Sequence, residues 1–201
     1  FFNRKVINIT LLGNPIDEKD IIKDKHNNNL TNKNKSIKIL HSPTDPLTKG
    51  TPQIEKMIDK LIKMGFKIDY SVIKDQPNKV VLKALQETDI VIDSLWNESP
   101  AGTFPAEAGF CGKPVLIGSY FAYPEFSNFT SGINIPPYCF VAPENFFNEL
   151  LKLVSNSKYR KQKGEELFKY MKKYKTLNSI AKLYTKVAEL KLEEEFFYEP
   201  S

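Results

Sequence analysis

The chain has 201 residues, of which 41% are hydrophobic and 26% are charged. These values suit one globular domain or one and a half small ones, and they exclude a wholly disordered chain and a collagen-like fibre. No apolar run reaches the roughly 18–20 residues of a membrane-spanning helix, and the first residues lack the apolar core of a signal peptide. We therefore expect a soluble, cytoplasmic protein.

Positive charge is concentrated near the C-terminus. The net charge is +5, but residues 152–191 carry 12 Lys and Arg against three Glu. Such a segment is either a solvated lysine-rich face or a contact site for an anionic membrane, which would place the protein peripherally at the inner membrane face. The basic segment lacks an interleaved aromatic platform and a groove-reading motif, so we expect no nucleic-acid partner.

Cysteine and histidine usage argues against a metal centre. Cys111 and Cys139 lie in apolar stretches without zinc-knuckle or CxxC spacing, which predicts two buried thiols. Only two histidines are present, His26 and His41, so a histidine-rich metal site is excluded.

In chain order, residues 6–12 are rich in β-branched side chains and end in a Gly-Asn-Pro turn, which predicts a strand. Residues 23–36 form a polar Asn- and Lys-rich tract that is predicted to be a loop. A short strand follows at residues 37–41. The next helix has clear end signals, with Thr51 as N-cap, Pro52 at the first helical position and Gly65 after the last turn.

Strands and helices then alternate. Further strands are predicted at residues 66–73, 89–93, 115–118 and 139–141, with helices at 78–87, 104–110, 143–155, 158–174 and 177–195. The alternation is typical of βαβ units, so the predicted fold is α/β: a doubly wound, Rossmann-like parallel sheet flanked by helices, with additional C-terminal helices.

Four segments follow from this pattern. Residues 1–22 are a leading strand and turn, or a linker from another domain, and residues 23–36 are the polar loop. Residues 37–155 form the Rossmann-like domain. Residues 156–201 form helices that pack on that domain or cross back from it.

In open α/β sheets, ligands bind beyond the carboxyl ends of the strands. In the loop of residues 42–50, Lys49 is the only cation and lies just before a helix N-terminus, where it is either a phosphate ligand or a surface lysine. In the loop that ends at Gly102, Thr103 is predicted to cap a short helix. Glu107 lies one turn inside that helix, as a ribose ligand or as a structural carboxylate paired with a lysine. Lys74 follows the second strand, where a flat base would find backbone to lie against.

Three stretches carry a resemblance to a known family. They are residues 39–44 (ILHSPT) with Lys49-Gly50, residues 89–93 (DIVID), and residues 102–115 (GTFPAEAGFCGKPV). Together they resemble the C-terminal, nucleotide-binding half of GT-B glycosyltransferases of the group 1 type, over about residues 36–190. The resemblance implies a retaining enzyme of polysaccharide biosynthesis that moves sugar from a UDP- or GDP-linked donor to a glycan or lipid-linked acceptor.

The resemblance also implies roles for individual residues. Glu107 matches the glutamate that binds the ribose hydroxyls, and Lys49 matches the basic residue that meets the diphosphate. Gly102, Thr103 and Phe104 match the turn whose amides face the phosphates and donor sugar. No metal or other cofactor is implied, because these groups neutralise the leaving diphosphate.

The resemblance also places Lys74 near the segment that lines the base of the nucleotide. It places Ser42 and Thr44 in the segment that matches the family's donor-binding loop. The sequence departs from the family pattern at two points. Ser99 stands where the family has its first motif glutamate, eight positions before Glu107. The arginine that often accompanies the lysine is absent.

A GT-B enzyme works in a cleft between two halves, and this chain supplies one. Because the chain does not begin with Met, we expect a fragment or a processed product, with an N-terminal GT-B domain outside it. The catalytic side chains should lie mainly there, so this fragment alone is expected to be inactive. Two alternatives stay open: a non-catalytic Rossmann-like interaction module, and half of a sugar-nucleotide epimerase.

Overall fold

The computed structural model describes residues 6–7, 16–17, 21, 36–97, 102–119, 135–189 and 197–198. The strands in these ranges are β1 (Val6–Ile7), β2 (Ile37–His41), β3 (Ile68–Val72), β4 (Ile90–Asn97), β5 (Val115–Ser119), β6 (Cys139–Val141) and β7 (Phe197–Tyr198). The helices are α1 (Thr51–Lys63), α2 (Asn78–Glu87), α3 (Thr103–Phe110), α4 (Phe146–Ser155), α5 (Ser157–Tyr174) and α6 (Leu177–Ala188). A single 3₁₀ turn, Pro143–Asn145, leads into α4.

Five strands form one parallel sheet in the order β3-β2-β4-β5-β6. The chain moves outward from β2 to β3, then crosses back over β2 to reach β4. The direction of winding therefore reverses between β2 and β4, which makes this the topological switch point of the sheet. The predicted α/β, Rossmann-like fold is confirmed. A separate antiparallel pair joins β1 to β7.

Helices cover both faces of the sheet. On one face, α1 and α4 pack through residues such as Ile54 and Phe146, and on the other α2, α3 and α5 pack through Leu85, Phe110 and Leu167. β4 is buried from Ile90 through Leu95. This part of the strand is therefore covered on both sides, as is typical of a strand with a nearly continuous apolar run.

Several predicted boundaries differ from the observed ones, and three of them bear on the site. Gly50, not Thr51, is the N-cap of α1, because Gly50 adopts a left-handed conformation (φ 76°) that closes the preceding turn, and Pro52 is then the second helical residue. Gly102, not Thr103, is the N-cap of α3. β4 continues to Asn97, four residues beyond the predicted end, with register shifts against β5 that keep the strand paired through a bulged segment.

Other predictions fall partly outside the described residues. Of the predicted strand at residues 6–12, only Val6–Ile7 is described, and the polar tract at 23–36 is described only at Ser36. The last helix is described as far as Ala188. The division into four segments stays a prediction. Cys111 and Cys139 are both buried and free, as predicted.

Two glycines let α5 lie close to the sheet layer. A Cβ atom at Gly164 of α5 would be 2.1 Å from the carbonyl oxygen of Gly112. A Cβ atom at Gly109 of α3 would be 2.7 Å from Cγ of Met171 in α5. The packing of α5 on α3 and on the turn before β5 therefore depends on the absence of side chains at these positions.

We expect Gly164→Ala to destabilise the fold. Overpacking against a backbone oxygen costs about 1–3 kcal/mol, and the better helix propensity of Ala returns at most about 1 kcal/mol. Urea unfolding should show a lower midpoint than the wild type. Lys169→Ala, at an exposed position of the same helix, should change it little, and a Gly164→Ala protein as stable as wild type would contradict the packing described here.

Candidate functional site

The loops that carry the predicted site residues emerge at one edge of the sheet. Ser42, Thr44 and Lys49 follow β2, Lys74 follows β3, and Gly102 follows β4. Because these strands are parallel neighbours, their carboxyl ends and the N-termini of α1, α2 and α3 share this edge. Ser99 lies outside the described residues.

Lys49 is held by a buried aspartate. Its Nζ lies 3.3 Å from Oδ1 and 3.2 Å from Oδ2 of Asp93. Asp93 is in β4 and is 4% exposed, whereas 27% of the Lys49 side chain is exposed. Asn97 Nδ2 donates to Asp93 Oδ2 at 3.4 Å. The ion pair therefore spans the switch point, and part of the Lys49 side chain remains exposed.

The backbone amides before α1 do not contribute to an anion site, contrary to what the position of Lys49 suggested. The amides of Lys49, Gly50 and Thr51 donate to the carbonyls of Asp45, Leu47 and Pro46, and Gln53 donates to Gly50. Pro52 has no N–H group. The tight turn thus satisfies its own donors, and the Lys49 ammonium is the group in this loop that remains suited to an anion.

His41 connects β4 to the start of α1 through two buried hydrogen bonds. It is fully buried; its Nδ1 lies 2.9 Å from the carbonyl oxygen of Ile92 and its Nε2 2.9 Å from Oγ1 of Thr51. A carbonyl only accepts, so Nδ1 carries the proton and neutral Nε2 accepts from the threonine hydroxyl. Burial lowers the pKa of His41, against opposing effects of the Ile92 carbonyl and Asp93. The Thr51 hydroxyl therefore bonds to His41 and does not cap α1.

Glu107 lies beside the N-terminus of α2. It is 6% exposed, and its Oε1 accepts a hydrogen bond of 3.0 Å from Nδ2 of Asn78, the first residue of α2. Burial raises the pKa of Glu107, while the Asn78 hydrogen bond opposes that shift. One predicted alternative was that Glu107 pairs with a lysine. Its hydrogen-bond partner is instead the side-chain amide of Asn78, so that pairing is wrong. Asn78 itself is exposed, so this pair reaches the surface at the carboxyl edge.

The N-terminus of α3 comes after Asp93 of β4 in the chain and one turn before Glu107. Gly102 has extended backbone and no side chain caps the helix. First-turn amides of a helix have no partner within the helix, and Pro105 leaves the third residue without an N–H. Phe104 is partly buried and packs against the core on the α2–α3 face.

The remaining predicted residues have modest roles in the described geometry. Ser42 Oγ donates to the carbonyl of Ile73 at 2.8 Å, which links the loops after β2 and β3. Thr44 is exposed. Lys74 is 45% exposed and lies 3.6 Å from the Asp75 carboxylate.

Sequence reasoning missed two residues at this edge. Asp93 was considered only as part of the strand at residues 89–93 and of the DIVID stretch, with no role of its own. A carboxylate inside an otherwise apolar run is itself a signal, since a buried charge requires a partner. Asn78 was treated only as the start of a helix. Its contact with Glu107 has no signal in the sequence, because the two residues are 29 positions apart.

The described ranges contain neither a metal-binding cluster nor a membrane-spanning helix. No group of three or more His, Cys, Asp or Glu side chains in them is arranged to hold a metal ion. Among the helices of those ranges, none is both long and apolar enough to cross a bilayer.

Comparison with known proteins gives little further guidance. No family model matches the chain, and no curated protein sequence matches it. The chain is similar to a solved structure from Listeria monocytogenes that is assigned as a UDP-N-acetylglucosamine 2-epimerase, with 14% identity and a TM-score of 0.45 over 96% of this chain. The alignment covers 55% of that protein, so the chain spans about half its length. A likeness this weak does not bear on function.

The buried His41 predicts a pH-dependent stability. The folded protein keeps His41 neutral below the ordinary histidine pKa of 6.5, where the unfolded chain takes up a proton. The unfolded state then binds more protons, so the free energy of unfolding should fall as pH drops below that value, by up to about 1.4 kcal/mol per pH unit.

Denaturant unfolding of wild type and His41→Asn between about pH 7.5 and 5.5 measures this effect. Asn keeps a donor for the Ile92 carbonyl but does not titrate. Because the pKa of Glu107 is raised, its contribution to the free energy of unfolding falls as pH rises. Both proteins contain Glu107, so this contribution cancels in the difference between their profiles. Parallel pH profiles for the two proteins would contradict a neutral buried His41.

Proposed function

We propose that the carboxyl edge of this sheet binds the nucleoside diphosphate part of a nucleotide-sugar, as the donor half of a glycosyltransferase. The proposal rests mainly on one observation: a lysine ammonium held at the switch point by Asp93, at the same edge as a buried carboxylate that pairs with Asn78. A cation and a hydroxyl acceptor at one edge match the two ends of a ribosyl pyrophosphate.

The groups suggest an order for the ligand across the edge. Glu107 and Asn78 lie on the α2–α3 side, where the ribose hydroxyls would donate to the carboxylate. The pyrophosphate would lie between the Lys49 ammonium and the N-terminal amides of α3 at Gly102 and Phe104. The base would lie beyond the ribose, towards Lys74 after β3.

The chemistry of transfer follows from the same groups. When a sugar leaves its nucleotide, negative charge grows on the diphosphate oxygen, and a fixed cation with helix amides stabilises that charge without a metal. We place the acceptor site and the remaining catalytic side chains in an N-terminal GT-B domain outside this chain. The acceptor would be a glycan or a lipid-linked glycan.

Calorimetry with UDP, GDP and their sugars tests the diphosphate contact. Lys49→Gln removes the charge but keeps a donor for Asp93, and it should weaken UDP or GDP binding about ten- to a hundredfold, as expected for loss of a charge-assisted bond. Lys56→Ala, at an exposed position of α1, is the control and should bind as wild type does. Equal binding by Lys49→Gln, or no heat with any nucleotide, would overturn the proposal.

The ribose contact has its own test. If Glu107 accepts from the ribose diol, the 2′-deoxy form of the nucleotide that binds should bind more weakly than the ribonucleotide. In Glu107→Gln, which can still accept from Asn78, that difference should shrink, because an amide oxygen replaces two carboxylate oxygens. The same ratio of affinities in both proteins would remove Glu107 from the site.

We also propose that the outward face of α5 contacts anionic lipid. Five exposed lysines lie opposite its buried stripe of Gly164, Leu167 and Met171. They are Lys158, Lys161, Lys169, Lys172 and Lys173. Two carboxylates lie on or beside this face: Glu165 is 3.8 Å from Lys161, and Glu166 is 2.9 Å from Lys163. Each lysine near an anionic surface contributes about 1 kcal/mol of attraction, so the face as a whole would hold the protein to such a membrane.

Vesicle flotation tests this contact. The protein should float with phosphatidylserine-containing vesicles and not with phosphatidylcholine vesicles, and salt should release it. Changing Lys169, Lys172 and Lys173 to Glu should abolish flotation. The matched control changes Lys56, Lys63 and Lys67, which are also exposed, to Glu and should still float. Equal loss in both variants, or flotation that ignores lipid charge, would contradict a role for this face.

A further inference from the structure

The only tryptophan of the chain lies at the carboxyl edge. Trp96 is the penultimate residue of β4 and is 37% exposed, although the six residues before it in the strand are buried. Register shifts between β4 and β5 lie on either side of Ser94. Bulges of this kind re-aim side chains near the end of a strand. A large aromatic side chain is therefore presented at the edge where the proposed donor binds.

The indole packs closely on the loop that carries Lys49. A Cβ atom at Gly50 would lie 3.2 Å from Cζ3 of Trp96 and 2.6 Å from Cβ of Leu95. The Leu95 amide donates to the Lys49 carbonyl at 2.9 Å. The left-handed glycine thus allows the ring to pack beside α1, adjacent in the chain to the ammonium that would hold the pyrophosphate.

The positions of three features define a sequence of subsites. Glu107 and Asn78 lie on the α2–α3 side of the sheet, the Lys49–Asp93 pair lies at the switch point, and Trp96 lies beside the start of α1. In a nucleotide-sugar the ribose and the hexose are attached to opposite ends of the pyrophosphate. With the ribose at Glu107 and the pyrophosphate at Lys49, the hexose reaches the side where Trp96 lies.

A hexose has chemistry that suits this surface. One face of a pyranose ring is made of C–H groups, and burying that face against an aromatic ring removes apolar surface from water. An indole that is 37% exposed and packs on Gly50, the residue after Lys49, provides such a surface near the proposed pyrophosphate site. The nucleobase also has a flat face, but the order above places it beyond the ribose, on the far side of the site.

We propose that Trp96 is the platform on which the donor hexose packs. This inference rests on the proposed function, and it assigns the sugar subsite to a residue outside the stretches that resemble the glycosyltransferase family. The platform discriminates sugars by the orientation of their ring hydroxyls, since an axial hydroxyl on the packed face would be forced against the indole.

Because Trp96 is the only tryptophan, intrinsic fluorescence reports on this position alone. The probes are UDP, UDP-glucose and UDP-N-acetylglucosamine, with GDP and GDP-mannose as the second series, each followed by calorimetry on the same samples. Within the series that binds, we expect the sugar-linked nucleotide to change Trp96 emission and the bare diphosphate to change it little.

Trp96→Ala should weaken binding of the sugar-linked nucleotide about three- to tenfold and leave the bare diphosphate unchanged. Trp96→Phe should recover most of the loss, because it restores an aromatic surface. Tyr184→Ala is the matched control, since Tyr184 is an exposed aromatic residue of α6, 46% exposed. Thermal unfolding of each variant, followed by circular dichroism, establishes that the fold is retained.

The possible results separate this inference from the proposed function. Calorimetric binding with no change in emission and no effect of Trp96→Ala overturns the hexose platform and leaves the donor site standing. An emission change as large with UDP or GDP alone assigns the ring to the base and also overturns it. No heat with any nucleotide overturns the proposed function, and the platform with it.

Discussion

A carboxylate buried in the middle of the central strand, just past the last residue of β4 that pairs with β2, is the constraint around which this edge is organised. Asp93 is 4% exposed, and an uncompensated charge at that depth would be strongly destabilising. Lys49 supplies the compensating charge from the loop after β2, and Asn97 adds a hydrogen bond. The loop must therefore come back over the switch point, which places α1 and its preceding turn where they are.

The same constraint decides which groups are left for a ligand. The turn that delivers Lys49 uses its own amides in internal hydrogen bonds, and His41 links Thr51 to the carbonyl of Ile92 beneath it. Internal hydrogen bonds therefore hold the loop, and the partly exposed Lys49 side chain is the group in it that is suited to an anion. A cation that is already fixed in place needs no rearrangement to stabilise a nearby anion.

At Glu107, the effect of burial on the pKa is opposed by a hydrogen bond. Burial raises its pKa, and Asn78 counteracts that shift by donating to the carboxylate. The amide partner keeps a nearly enclosed carboxylate able to accept hydrogen bonds, while the exposed position of Asn78 connects it to the surface. A lysine partner would instead have formed a charge-assisted ion pair with the carboxylate.

Most of the fold follows from local patterns in the sequence. The strand at residues 37–41 and the helix at 78–87 were predicted with their observed boundaries, because alternation, apolar runs and end signals are properties of neighbouring residues. The sequence also placed Lys49 in a loop and Glu107 in the first turns of a short helix, both on the carboxyl side of the sheet. Tertiary structure alone decided that Asp93 holds Lys49, that Asn78 holds Glu107, and that Gly50 rather than Thr51 caps α1. These contacts join residues from different strands and helices, and burial determines their energies. Neither spacing nor composition encodes them.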